Sequence, residues 1–109
     1  MTSFEDRKRG FEGKFAHDEE LKFKAMARRN KLLGLWAAEK MGLSGDAAQV
    51  YAREVIKADL EMPGEEDVFR KVRGDFDAKG IEQSDHQIRR AMSEMMAEAM
   101  NQIEAEGKA

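Results

Sequence analysis

The fold is decided by residues 61–92, which read EMPGEEDVFRKVRGDFDAKGIEQSDHQIRRAM. The pair Pro63-Gly64 ends one helix, and the acidic run after it favours the positive N-terminal end of the next helix dipole. Gly80 can end that helix in a left-handed conformation, and Ser84 and Gln87 have the spacing of a capping box. The stretch therefore predicts two helices, one on each side of Gly80.

Apolar residues recur at three- and four-residue spacing in both helices, as an amphipathic helix requires. The buried faces are predicted to contain Val68, Phe69, Val72 and Phe76 in the first helix and Ile88, Met92, Met95, Ala99 and Ile103 in the second. The methionines at 92, 95, 96 and 100 could instead form an adaptable binding surface, although methionine at this spacing is more often part of a core.

Two further helices are predicted upstream, over residues 18–41 and 45–60, with Gly42 between them and Ser44 as the N-cap of the second. The longer one is expected to bury Leu21, Ala25, Arg28, Leu32, Leu35 and Trp36. The shorter one is expected to bury Ala48, Tyr51, Val55 and Ala58. The sequence thus predicts an all-α fold, a four-helix bundle over residues 18–109 with a long first helix.

The composition fits one small helical domain. The chain has 109 residues, 41% of them hydrophobic, and it has no cysteine, which excludes disulfides and thiolate metal sites. Its net charge of −3 argues against binding nucleic acid through overall charge. Residues 5–9 are all charged and no apolar run of membrane-spanning length follows. We therefore expect a cytoplasmic protein without membrane insertion.

Basic side chains cluster in the predicted first helix, whereas acidic side chains predominate in the last. The cluster consists of Lys22, Lys24, Arg28, Arg29 and Lys31. It predicts a secondary site for an acidic partner, and a solvated helix face is the alternative interpretation.

Residues 1–17 differ from the rest and are predicted to form a flexible N-terminal arm. Phe4, Phe11 and Phe15 would lie within about 40° of one another on a helix, but Gly10 and Gly13 disfavour that helix. Such a segment folds only against a partner surface, either the chain's own bundle or another molecule. Coupled folding and binding to another molecule is the favoured interpretation.

The sequence offers no convincing catalytic or metal-binding constellation. His17 and His86 lack ligand spacing, and we predict no metal, no cofactor and no enzymatic activity. The segment from Asp75 to His86 resembles a calcium-binding loop only at its start, because Lys79 and His86 occupy ligand positions. The last turn of a helix is the simpler interpretation.

A longer pattern carries a family resemblance. Residues 11–38 read FExKFAHDxELxFKAxARRNKLLGLWAA, where x marks positions outside the pattern, and this run resembles the zeta subunit of bacterial ATP synthase, the ATPase inhibitor zeta family. Agreement continues at residues 51–52, 58–59, 63–64, 67–68, 70–72 and 88–89.

The resemblance implies an inhibitor of ATP hydrolysis. Its N-terminal segment would insert between the alpha and beta subunits of the catalytic head near gamma, blocking rotation in the hydrolysis direction while permitting synthesis. The implied contacts on this sequence are Phe4, Arg7, Phe11, Lys14, Phe15 and His17. The protein would associate peripherally with the membrane through ATP synthase. The alternative function is a helical adaptor that binds an acidic protein or, less expected, nucleic acid through the basic cluster.

Overall fold

The computed structural model describes residues 19–61 and 64–107. Within these ranges the chain forms four α-helices and no strand, which confirms the predicted all-α, four-helix fold. The helices are α1 (Glu19–Lys40), α2 (Gly45–Glu61), α3 (Glu65–Lys79) and α4 (Asp85–Gly107). The predicted arm over residues 1–17 lies outside the described residues.

The predicted ends of α3 and α4 are confirmed by their hydrogen bonds. Gly80 adopts a φ of 68°, and the backbone N–H of Ile81 donates to the Phe76 carbonyl at 2.8 Å. Ser84 and Gln87 form the reciprocal capping box, since the Gln87 N–H donates to Ser84 Oγ at 3.1 Å and the Ser84 N–H donates to Gln87 Oε1 at 2.8 Å. These local interactions fix the turn between α3 and α4.

The core lies where all four helices meet. Its fully buried side chains include Leu33, Val55, Val68, Val72, Phe76 and Ile88. The Trp36 and Phe76 rings pack with centroids 5.7 Å apart at its edge. A smaller cluster joins Ala25 of α1 to Ile103 of α4. The predicted faces of α3 and α4 are buried except for half-buried Met95, whereas α2 buries Tyr51 and Val55 but leaves Ala48 and Ala58 half-buried.

The predicted buried stripe of α1 is wrong in register. Leu21, Arg28, Leu32, Leu35 and Trp36 are only half-buried. The helix buries Ala25 as predicted, but its other buried residues are Arg29, Asn30, Leu33, Gly34, Ala37 and Ala38. Small residues occupy this face because α2 approaches closely, and the larger side chains of α1 therefore lie at the margins of the contact.

Candidate functional site

The basic cluster predicted in α1 is divided by the fold. Lys22, Lys24 and Lys31 are exposed, and Lys24 Nζ lies 3.3 Å from Glu20 Oε1 one turn earlier. The two arginines between them turn toward other helices. The five residues therefore do not form one continuous surface.

Arg28 joins α1 to the last turns of α4. Its Nη1 donates to Gln102 Oε1 at 2.8 Å and to Glu106 Oε2 at 2.6 Å, and its Nη2 donates to Glu106 Oε1 at 3.0 Å. These bonds raise the pKa of Arg28 and lower the pKa of the Glu106 carboxyl. The basic cluster of α1 thus contacts the acid-rich last helix, α4, through the pair of Arg28 and Glu106.

Arg29, which was predicted to belong to the basic cluster, has a buried side chain. Only 2% of the residue is exposed. Its Nε donates to Asn30 Oδ1 at 3.0 Å and its Nη1 lies 3.3 Å from Glu65 Oε1. Its Nη2 has no hydrogen-bond partner among the residues that the structure describes. Burial lowers the pKa of Arg29, opposed by the charges of Glu65 and Asp59. The buried Arg29 side chain of α1 therefore interacts with acidic residues at the end of α2 and at the start of α3.

A mostly apolar groove lies beside the N-terminal half of α1, and it was not predicted from the sequence. Its cavity volume is about 600 Å³, and its apolar lining comes from Leu21, Phe23, Ala27, Ile56 and Ile103. Phe23 is 59% exposed, an unusual state for a phenylalanine in a helix. The sequence did indicate that Leu21 and Phe23 would not both be buried, because two residues that are two positions apart cannot share one buried helix face.

The groove has a charged rim. Lys24, Arg28 and Lys31 line it from α1, and Glu106 lines it from α4. Because Arg28 is held by Glu106, the two exposed lysines are the cations presented to an incoming group.

The methionines of α4 are divided between core and surface. Met92 is buried, and Met95, Met96 and Met100 are half-buried. Met92, Met96 and Met100 line a second groove of about 350 Å³ together with Arg89 and Glu65.

The acidic residues near the end of α3 serve as helix contacts. Asp75 Oδ2 accepts a hydrogen bond from the Tyr51 hydroxyl at 2.7 Å and another from Lys71 Nζ at 3.0 Å. Burial and these contacts raise the pKa of Tyr51. Asp77 accepts from Arg73 in the same helix. Over residues 19–61 and 64–107 no group of three or more His, Asp or Glu side chains could hold a metal ion.

The residues predicted to contact the synthase precede α1. Phe4, Arg7, Phe11, Lys14, Phe15 and His17 all lie outside the described residues. They precede α1, which begins at Glu19, and Leu21 in the first turn of α1 lines the apolar groove. Among the helices that the structure describes, none is long and apolar enough to cross a membrane.

The sequence is similar to a described protein family along most of its length. A family model for the ATPase inhibitor subunit zeta matches residues 1–102. No curated protein matches the chain. A protein whose structure was determined by solution NMR is 51% identical to this chain, with 79% of this chain and 98% of the other covered and a TM-score of 0.70.

Proposed function

This chain belongs to the ATPase inhibitor subunit zeta family, and we propose that it inhibits ATP hydrolysis by ATP synthase through its N-terminal arm. The observation that carries the proposal is the extent of the family match, which begins at residue 1 and so includes the arm as well as the four helices. We assign the arm to residues 1–17 and the helical domain to residues 18–109.

In the proposed mechanism the arm folds as a helix in the interface of the alpha, beta and gamma subunits. Phe4, Phe11 and Phe15 would supply its apolar face, because they share one side of a helix. Arg7, Lys14 and His17 would supply polar and basic contacts. Aromatic and arginine side chains are frequent energetic anchors of protein interfaces.

The helical domain would act as the bulky part that remains outside the cleft. Its extents are 44 × 26 × 26 Å, whereas a single helix is about 10–12 Å across. An arm of one helix can enter a cleft that the domain cannot, so the domain limits how far the arm inserts. Rotation in the hydrolysis direction would be blocked and synthesis permitted. The protein would then be cytoplasmic and peripheral to the membrane through ATP synthase.

The adaptor alternative has less support, because the basic cluster is not one surface. Arg28 is engaged by Glu106 and Arg29 is buried, which leaves Lys22, Lys24 and Lys31 exposed. Three lysines give a weak and strongly salt-dependent attraction for an acidic partner.

The two functions are separated by an inhibition titration against the organism's own synthase. Phe11→Ala and Phe15→Ala should each weaken inhibition of ATP hydrolysis by about 2 kcal/mol, near thirtyfold, if the rings are buried anchors. Lys22→Ala is the matched control, since it removes an exposed side chain of the basic cluster and should leave inhibition unchanged. If Lys22→Ala weakens inhibition and the phenylalanine variants do not, the adaptor is favoured and the arm mechanism is wrong.

A further inference from the structure

The groove beside α1 leaves apolar side chains exposed on a surface that is otherwise charged. Phe23 is 59% exposed, and Leu21, Ala27 and Ile56 line the groove with it. Among the described residues the only other exposed large apolar side chain is Val50, at 49%, and it does not line the groove. A contiguous apolar patch bordered by charges is typical of a surface that binds another protein.

The groove is built on the packed part of the fold. Most of its lining comes from the N-terminal half of α1, a helix that packs against both α2 and α4. Ile56 of α2 and Ile103 of α4 also line it, and two hydrogen bonds hold Arg28 to Glu106 at the same rim. A partner would therefore meet a preformed surface, which lowers the ordering cost of binding.

The charges at the rim of the groove favour an acidic partner. Lys24 and Lys31 are exposed there, whereas the positive charge of Arg28 is compensated by Glu106. Lys24 lies 3.3 Å from Glu20, but both side chains are exposed, so this ion pair is weak and another carboxylate can replace it. The net positive rim is complementary to an apolar surface that is flanked by Asp or Glu side chains.

A second copy of the chain fits this rim less well. In a two-fold symmetric contact both partners use the same patch, so the two groove lysines of one copy would approach those of the other. Like charges across an interface oppose association. The charge pattern therefore favours a different protein as the partner.

The position of the groove indicates which protein this is, given the proposed function. The arm ends two positions before α1 begins at Glu19, and the groove extends along α1 from Leu21 to Lys31. These groove residues lie about 3–18 Å from Glu19 along the helix. When the arm is bound in the catalytic head of the synthase, the groove therefore lies close to the surface of the head.

We propose that the groove is a second binding site for the synthase, in which Phe23 packs against an apolar surface of the catalytic head and Lys24 and Lys31 pair with carboxylates that flank this surface. The inference rests on the proposed function. The arm blocks rotation, whereas the groove adds affinity and orients the helical domain, because two linked contacts bind more tightly than either contact alone.

The first test is an inhibition titration of the full chain against the organism's own synthase. Phe23→Ala should raise the concentration for half-maximal inhibition about tenfold or more, as expected for an interface anchor. Val50→Ala is the matched control, since it truncates the other exposed apolar side chain and should leave that concentration unchanged. At saturation Phe23→Ala should inhibit as completely as the wild type, because its arm is intact. Equal titration curves for the two variants would overturn the proposal.

The second test concerns the lysines at the rim. Lys24→Gln with Lys31→Gln should weaken inhibition and make it less sensitive to salt, because two charge pairs are lost. Lys22→Gln with Lys79→Gln is the matched control, since it changes the net charge equally at two exposed lysines that do not line the groove. Equal effects of the two double variants would mean that overall charge, and not the groove, determines the affinity.

Photo-crosslinking tests the contact without relying on inhibition. A benzophenone amino acid is placed at position 23 or, as the control, at position 50 of the full chain, which is mixed with the purified synthase. We expect a cross-link from position 23 to an apolar segment rich in Asp or Glu in the catalytic head, and none from position 50. Equal cross-linking from both positions, or a cross-link from position 23 to a second copy of the chain, would overturn the proposal.

The two readouts separate failure of the groove from failure of the proposed function. If the wild type inhibits but position 23 forms no cross-link to the synthase, the groove proposal is wrong and the inhibitory function stands. If position 23 forms the expected cross-link but the wild type does not inhibit, the groove binds the synthase and the proposed inhibitory function is wrong.

Discussion

Gly34 of α1 lies against Ala52 of α2 so closely that a Cβ atom on Gly34 would stand 2.6 Å from the Ala52 Cα. Cβ atoms in proteins essentially never come that close to a backbone atom, so any other residue at position 34 would force the two helices apart. Ala37 and Ala38 continue the same small-residue face of α1. The close crossing sets the rotation of α1 and thereby turns Phe23 outward and Arg29 inward.

Gly34→Ala should destabilise the domain by about 1–3 kcal/mol, because the added methyl group forces two backbones apart and this cost outweighs the gain in helix propensity. Gly74→Ala is the matched control. Gly74 lies within α3, is exposed, and would place its Cβ in open space, so we expect a gain of about 1 kcal/mol. Urea denaturation of the two variants measures both changes, and equal effects would contradict the close crossing.

Arg28 and Arg29 should differ sharply although they are neighbours. Arg29→Met should cost about 2 kcal/mol or more, since it leaves the buried Asp59 carboxylate without its nearby cation. Arg28→Met removes a partly exposed ion pair and should cost about 1 kcal/mol or less. Thermal unfolding of both variants gives the comparison. A larger loss of stability for Arg28→Met than for Arg29→Met would contradict the burial of Arg29.

The pair of Arg28 and Glu106 should make stability depend on acid pH. Its hydrogen bonds lower the pKa of Glu106 in the folded protein. The stabilisation is therefore present above the ordinary carboxyl pKa of the unfolded chain and is lost as the pH falls through the lower pKa of the folded state. The melting temperature of the wild type should exceed that of Glu106→Gln at pH 7, and the difference should shrink on acidification below about pH 4. A difference in melting temperature that grows on acidification would contradict the lowered pKa of Glu106 in the folded protein.

The fold was predictable where short-range interactions determine it. Gly80, Ser84 and Gln87 mark helix ends through contacts within a few residues, and each is found as predicted. The register of α1 was not predictable from apolar periodicity, because Gly34 and its small neighbours occupy the buried face.

The candidate site depends, more than the helix ends do, on contacts between residues that are far apart in the sequence. Arg29 is buried through partners 30 or more positions away, around Asp59 and Glu65, and no local pattern indicates such a contact. Phe23 was visible as an apolar residue out of phase with Leu21, but its groove needs Ile56 and Ile103 from two other helices.

Replacing both arm glycines tests whether the bound arm is a continuous helix. Gly10→Ala with Gly13→Ala should stabilise any helix through these positions by about 2 kcal/mol. Inhibition of ATP hydrolysis should then strengthen near thirtyfold. Weaker inhibition by the double variant would mean that glycine is required there for a positive φ or a close backbone approach.

The most direct measurement compares the full chain with a variant lacking residues 1–17 in one assay of ATP hydrolysis by the organism's own synthase. The predicted core side chains all lie beyond the deletion, so its helical circular dichroism and melting temperature should stay close to those of the full chain. The account predicts that the full chain inhibits hydrolysis and that the folded, truncated domain does not. A truncated domain that inhibits as strongly as the full chain would contradict the account.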